Sequence, residues 1–494
     1  MSHLTRRSFL EQTLYTAATG LAAAQAASAA DTPKNQEGPP PTTKVSPIEK
    51  IGIAVIGLNG RGKSHIDAYC GDDRVEIVAL CDVDEHQFTS AQKALERRGR
   101  PVAKTYQDIR KLLEDKDVQA VSIATPNHWH TLAAVWAMQR GRDVYVEKPV
   151  SHEVTEGRRL EEARAKYDRI CQAGLQSRST TACQEAMKYI HEGNIGKVLL
   201  SRGLCYKLRP TIGHFEDSPV PAGVDYDIWL GPAPKRQFNK NRFLYNWHWW
   251  WDYGNGDIGN QGVHQMDIAR WALGKTLPKA VMGLGGRFGY KDDGETPNTM
   301  LSLYDYGDSK LLFEVRGLKS SNLMGVGTGN IVYGTEGFVA FTADYGSVVA
   351  FDNKGKRVKA FRGTKNHFAN FINAVKSRKQ SDLNCPVLEG HYSAALCHLG
   401  NISYRLGGPQ PFSVPTRAVN DEMDLAEAFG RYEQHLADSI NSDTNKPLKL
   451  EGMAYQIGPR LDFDAEAENF GSNARANKFL RREYREPFVV PERV

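Results

Sequence analysis

The sequence predicts an α/β fold whose first half is a parallel sheet, and three apolar runs carry that prediction. Ile51–Ile56, Val75–Cys81 and Val118–Ala124 are apolar along most of their length and separated by stretches of helical spacing. Strands buried on both faces read this way, because helices cover each side of a parallel sheet. The first run passes at once into Gly57-Leu58-Asn59-Gly60-Arg61-Gly62, and helical spacing resumes after Lys63. A tight strand-to-helix turn aims backbone N–H groups and the positive helix end at a pyrophosphate. Asn59 holds the place of the second glycine, where its tolerance of left-handed backbone angles suits the turn. The second run ends at Asp82, roughly 20 residues past the glycines, where a carboxylate accepts ribose hydroxyls and repels a 2′-phosphate. Residues 50–175 are therefore expected to form a Rossmann domain that binds NAD rather than NADP.

The third run ends in Thr125-Pro126-Asn127, where proline stops the strand beside the nicotinamide ribose. His128-Trp129-His130 offers alternating imidazoles but no nearby third ligand, so no metal site is expected there. His130 is expected to cap the following helix, whose apolar face includes Leu132, Val135 and Trp136. A fourth short strand, Val144–Val146, closes at Glu147-Lys148-Pro149. A lysine arriving at that strand end points into the ligand crevice of an open α/β sheet. Gly174–Arg178 reads as the last strand of this half, with Arg178 either a substrate contact or the partner of a carboxylate.

The first thirty residues read as an address rather than as fold. Thr5-Arg6-Arg7-Ser8-Phe9-Leu10, the mild apolar stretch Thr13–Ala26 and Ala27-Ser28-Ala29 match a twin-arginine signal with a cleavage site. Residues 31–49 are a Pro-, Thr- and Lys-rich linker. The expected location is periplasmic or secreted, with no membrane span after processing. Because that route carries folded proteins, NAD is expected to travel inside the protein and stay bound. Seven scattered cysteines without a C-x-x-C pair indicate neither a zinc nor a disulfide framework. The net charge of +5 is small for 494 residues and forms no basic stripe, which argues against nucleic acid as a partner.

The second half is marked by Asn246-Trp247-His248-Trp249-Trp250-Trp251-Asp252-Tyr253, the densest aromatic patch in the chain. Flat rings suit sugar faces, and Asn246, His248 and Asp252 offer groups for hydroxyls. Helical or strand spacing cannot bury all of these rings on one face, so one or two are expected in the cleft. Tyr206, Lys207 and Arg209 form a second polar-aromatic group. Asn260–Trp271 reads as a helix that brings Asn260, His264 and Asp267 to one face. Glu389–Arg405 reads as a packed helix without chemistry.

Taken in order, the glycine turn, Thr125-Pro126-Asn127, Glu147-Lys148-Pro149, Gly193-Asn194-Ile195-Gly196-Lys197 and Asn260–Asp267 resemble the glucose–fructose oxidoreductase/inositol dehydrogenase (Gfo/Idh/MocA) family. Asp225–Pro232 and the ending Arg482-Glu483-Tyr484 to Val490-Pro491 resemble a secreted bacterial branch of it. The resemblance implies an α+β domain with a large mixed open-faced sheet at 176–415, through which many members oligomerise, and a C-terminal extension at 416–494 packing on the domains. A homo-oligomer is expected. It sets Lys148 and His264 beside the nicotinamide and the reacting hydroxyl. The cofactor contacts it implies are Leu58, Asn59, Gly60, Arg61, Gly62, Asp82, Thr125, Pro126, Asn127, His130, Glu147, Lys148 and Gln176. The substrate contacts are Arg178, Tyr206, Trp249, Asp252, Asn260 and Asp267. Many members carry aspartate where this chain has Asn260, and an amide orients His264 without stabilising its imidazolium. The expected activity is oxidation of a secondary hydroxyl of a sugar or glycoside by retained NAD. Its redox-neutral variant is a glycosidase working through a transient keto-glycoside. A non-catalytic sugar-binding protein on the same scaffold is the rival, and the presence of both Lys148 and His264 argues against it.

Overall fold

The computed structural model describes residues 50–414 and 416–494. The expected export signal and linker lie outside the described residues. Six strands form the first sheet: β1 (Ile51–Ile56), β2 (Val75–Cys81), β3 (Lys104–Tyr106), β4 (Ala120–Ile123), β5 (Asp143–Val146) and β6 (Cys171–Ala173). They lie in the order β3-β2-β1-β4-β5-β6, all parallel. Every residue of β1, β4 and β5 is buried, as their unbroken apolar runs require. The order reverses between β1 and β4, so a crevice opens where Gly57 and Thr125 leave the sheet. The last strand differs from its expected position. β6 ends at Ala173, and Gln176–Ser179 is a 3-10 turn instead. Gly174 passes so close to Glu147 that a Cβ would lie 2.9 Å from its carboxyl carbon.

Strands β7 (Val198–Tyr206), β8 (Ala280–Gly286), β9 (Thr299–Asp305), β10 (Lys310–Arg316), β11 (Thr328–Gly334), β12 (Gly337–Phe341), β13 (Ser347–Asp352) and β14 (Arg357–Arg362) build the second sheet. Only β7 and β10 pair in parallel, with the other ladders antiparallel, so the sheet is mixed. β15 (Gly408–Pro411), β18 (Ala454–Ile457) and β19 (Leu461–Asp462) extend it past β8, while β16 (Ile440–Asn441) and β17 (Lys446–Pro447) form a separate hairpin. Side chains alternate along β7. A Cβ at Gly203 would strike the Phe313 ring at 2.5 Å and approach the Gln265 carbonyl, so this face presses on the helix Gly262–Leu273.

The other face is closed by the chain's own tail. From the helix Met423–Ala437, Leu425, Ala428, Tyr432 and Leu436 pack on Leu284, Leu301, Leu303 and Leu312. Helices His367–Ser377 and Val387–Arg405 return to the first sheet, so the two halves share their cores. Phe371 and Ile372 join Ile53 and Val55, and Val387 and Leu399 join Val144 and Val146. At the C-terminus Phe488 packs on Trp129 with ring centroids 5.5 Å apart.

Candidate active site

The β1 turn has the shape of a phosphate cradle. Gly57 has φ 84°, and a Cβ there would lie 2.7 Å from the Ala124 carbonyl oxygen. A Cβ on Gly62 would meet the Gly57 carbonyl at 1.8 Å, so the helix Arg61–Cys70 starts against the turn only because both residues are glycine. No side chain caps that helix, which leaves N-terminal N–H groups for an anion. Leu58 N–H donates to Asp82 Oδ2 at 2.7 Å, and Asp84 N–H donates to Oδ1 at 3.0 Å. Burial raises the Asp82 pKa to about 6, against the pull of these two donors. Asn59, Gly60, Arg61, Asp82, Thr125 and Asn127 line one continuous cavity with Lys148 at its other end. Thr125 Oγ1 is buried without a partner. An orphan hydroxyl, an uncapped helix and an acidic strand end fit a dinucleotide laid across the switch point. Asp82→Ala should weaken NAD retention and ease acceptance of the 2′-phosphate, measured as NAD and NADP dissociation constants; an unchanged ratio would remove Asp82 from that role.

At the other end, Lys148 Nζ donates to the Asn260 carbonyl at 2.7 Å, and burial lowers its pKa against the attraction of Glu147. Glu147 is held by Arg61 Nε at 2.8 Å, with His65 Nε2 and Gln176 Nε2 each at 3.2 Å. Burial alone would raise the Glu147 pKa, but Arg61 foremost, with His65 and Lys148, keeps it well below the carboxylate range. His264 sits half-buried in the first turn of the helix Gly262–Leu273 and is not among the residues that line the cavity. Its Nδ1 is buried without a partner, and its ring lies 5.9 Å from that of Tyr345. Burial first, and the Lys148 charge second, lower its pKa to about 3, so the imidazole is neutral. The segment 243–248 forms the roof. Trp247 stacks on His248 at 3.6 Å, His248 Nδ1 donates to the Tyr245 carbonyl at 2.6 Å, and Asn260 Nδ2 donates to the Tyr245 hydroxyl at 3.2 Å.

Residues 51–175 match the Gfo/Idh/MocA oxidoreductase-family model described as an NAD-binding Rossmann fold, and residues 183–284 match that family's C-terminal α/β domain. These two stretches are thus similar to the two domains of that family. A glycosyl hydrolase family 109 protein of Saccharopolyspora erythraea is 32% identical over 162 residues, which are 31% of this chain and 35% of that protein. Glycosyl hydrolase family 109 protein 2 of Phocaeicola vulgatus is 28% identical over 165 residues, 33% of this chain and 40% of its own length. The matched stretch thus spans little more than a third of these relatives. Among solved structures, the WlbA dehydrogenase from Bordetella pertussis, in complex with NADH and UDP-GlcNAcA, superposes with a TM-score of 0.55 at 20% identity, covering 72% of this chain and 97% of that one. GenD2 from gentamicin A biosynthesis, in complex with NAD, gives a TM-score of 0.52 at 19% identity over 74% of this chain and 96% of that one. These two likenesses are of fold.

Several expected contacts lie elsewhere. Arg178 and Asp267 form a bidentate pair at 2.8–3.0 Å, with Ser393 donating to the same carboxylate and Glu389 beside the guanidinium. Both are consumed in a buried network and do not line the cavity. Tyr206 points to the opposite face of the second sheet, where its hydroxyl donates to Glu314 at 2.6 Å. Asp252 pairs with Arg236, outside the cavity. Trp249 is buried under Arg209, whose guanidinium carbon lies 5.2 Å from the ring centre. Gln176 sits behind Glu147, while Leu58 and Gly62 shape the turn without lining the cavity. His130 does not cap its helix: the helix Asn127–Gln139 begins earlier, and the imidazole nitrogens lie 2.7 and 2.6 Å from the Thr125 and Pro149 carbonyl oxygens, tying two strand-end loops.

Sequence reasoning assigned nothing to Tyr245, although it borders the aromatic run and bonds Asn260. It also passed over Asp257, which holds Arg209 through bonds of 2.8 and 2.6 Å. Of the tryptophans in the patch, Trp247 lines the cavity, whereas Trp250 is buried with its indole N–H donating to the Asn241 carbonyl at 2.8 Å. Trp247→Ala should therefore raise KM with little change in melting, whereas Trp250→Ala should cost about 3–5 kcal/mol of stability. Equal destabilisation by both, without any KM effect, would take the patch out of substrate binding.

Proposed function

We propose that the protein oxidises a secondary hydroxyl of a sugar or glycoside, using NAD that it retains. The observation carrying this reading is a cavity that runs from the glycine turn to a half-buried lysine, with a neutral imidazole within range of that lysine's charge. NAD, held along the Gly60–Asp82–Thr125 wall, supplies the hydride acceptor when bound. Lys148 donates a hydrogen bond to the substrate oxygen and favours its developing negative charge. His264 takes the hydroxyl proton. Proton and hydride leave together, so the oxygen passes from hydroxyl to ketone while the Lys148 hydrogen bond holds the negative charge that builds on it. Trp247 and His248 cover the site with flat rings suited to a sugar face.

The glycosyl hydrolase family 109 relatives favour the redox-neutral form of this chemistry. A transient ketone acidifies the neighbouring C–H, elimination breaks the glycosidic bond, and the hydride returns. The carboxylates lining the cavity support the same view. Asp82 and Asp84 belong to the nucleotide end and Glu147 is held by Arg61, so among the described residues no free carboxylate pair lines the reacting end for ordinary glycoside hydrolysis. Export through the twin-arginine route, a periplasmic or secreted location and a homo-oligomeric state belong to the same proposal. Mass spectrometry of the purified, denatured protein should release NAD or NADH, and a glycoside panel should then yield a ketosugar (net oxidation) or free sugar with unchanged NAD (hydrolysis). Protein that binds NADP more tightly than NAD, or that converts no sugar, would overturn the reading.

A further inference from the structure

The charges around the reacting end are unbalanced in a way that the chemistry above does not use. Arg61 is matched by Glu147 and Arg209 by Asp257. Lys148 bonds only a carbonyl, that of Asn260. The next residue, Gln261, accepts from Lys207 Nζ through Oε1 at 3.2 Å. Two ammonium groups are thus anchored on consecutive residues, and among the described residues no carboxylate forms an ion pair with either. Lys207 is exposed just past the end of β7, and its anchor Gln261 adjoins the Asn260 that holds Lys148, so it stands toward the reacting end. Gln261 is itself within 3.4 Å of the Tyr345 hydroxyl, which Gln265 holds at 2.6 Å, so the platform under Lys207 is braced beside His264. Lys207 also opposes the positive charge of both Lys148 and His264, as expected of a cation close to the reacting groups.

We propose that the sugar carries a carboxylate, as in a hexuronate or a uronate-bearing glycoside, and that Lys207 binds it. This rests on the reading of the site as an NAD-dependent oxidiser of a sugar hydroxyl. A neutral sugar would leave the second ammonium without a counter-charge, whereas a uronate carboxylate gives it a charge-assisted hydrogen bond while Lys148 remains on the reacting oxygen. The test is isothermal titration of the NAD-loaded protein with matched pairs, glucuronate against glucose and galacturonate against galactose, at low and high salt. At least one uronate should bind roughly tenfold or more tightly than its neutral partner, the scale of a hydrogen bond between charged groups. Salt should weaken that preference. Lys207→Gln should abolish the difference within the pair, and Lys207→Arg should keep most of it. Equal affinity within both pairs, a preference that survives Lys207→Gln, or no binding of any of the four sugars would overturn the proposal. A neutral hexose that is oxidised and binds as tightly as its uronate would overturn the charge assignment alone and leave hydroxyl oxidation standing.

Discussion

Lys148→Ala and His264→Ala are each expected to cut turnover by roughly 10²–10⁴-fold, the scale of a lost acid–base or hydrogen-bonding group, while the fold and NAD binding persist. The structure explains why stability should be spared. Lys148 makes one side-chain hydrogen bond, to a carbonyl, and His264 Nδ1 already has no partner, so truncation orphans little that is now satisfied. Stopped-flow turnover and thermal melting of the two variants check this. Near-normal turnover in either would move the reaction centre elsewhere. The pH profile separates the two roles. Burial lowers the Lys148 pKa from the ordinary lysine value of 10.5, so the donor is lost as pH rises through a point below that value. Lys148→Arg should shift this alkaline limb upward, because guanidinium keeps its proton. His264 acts in its neutral form, which is lost only as pH falls toward about 3. Removing the Lys148 charge should raise that value, and NMR titration of labelled histidine reads the change directly.

The residues legible in the sequence are those whose position follows from local period. Asp82 and Lys148 stand at the ends of buried runs, and strand ends of a parallel sheet converge on one crevice, so their placement needed no knowledge of distant partners. Gly57 and Gly62 were legible for a related reason, since a turn that tight excludes a Cβ. The residues misplaced are polar groups whose partners lie far along the chain. Arg178 meets Asp267 across 89 positions and Tyr206 meets Glu314 across 108. Local sequence offers Tyr206 no partner, and it leaves Arg178 open between a substrate and a carboxylate, of which the structure shows the carboxylate. The aromatic patch shows the same boundary. Its spacing indicated that some rings must leave the core, but only tertiary contacts distinguish Trp247 in the cavity wall from Trp249 beneath Arg209. The helical tail over the second sheet was expected only through resemblance. Its anchoring charges sit on strands and a helix that no local pattern links.

Those anchoring charges should make Glu314 the most sensitive position for stability. Glu314 is fully buried on β10 and accepts from Arg202 at 3.1 Å, Tyr206 at 2.6 Å, Arg316 at 3.3 Å and Arg431 at 2.6 and 3.0 Å. Arg431 comes from the helix Met423–Ala437, so one carboxylate ties the tail to the sheet. Burial would raise its pKa, but Arg431 foremost, with Arg316 and Arg202, holds it far below the carboxylate range. Glu314→Ala leaves these guanidiniums short of counter-charge. Arg202 and Arg431 retain Glu427, but Arg316 has no other carboxylate among the described residues. The expected loss is about 3–5 kcal/mol, the usual cost of breaking a buried charge cluster from one side. Glu314→Gln keeps the shape and one of the two accepting oxygens, and should cost less than Glu314→Ala. The pH dependence follows from the sign of the shift. A carboxylate with a depressed folded pKa stabilises above its unfolded value, and that contribution disappears as pH falls below the ordinary carboxylate range. Wild type should therefore lose part of its advantage over Glu314→Ala in acid. Chemical denaturation of both proteins at neutral and acidic pH measures this, and a difference below about 1 kcal/mol at neutral pH would show that the cluster does not anchor the tail.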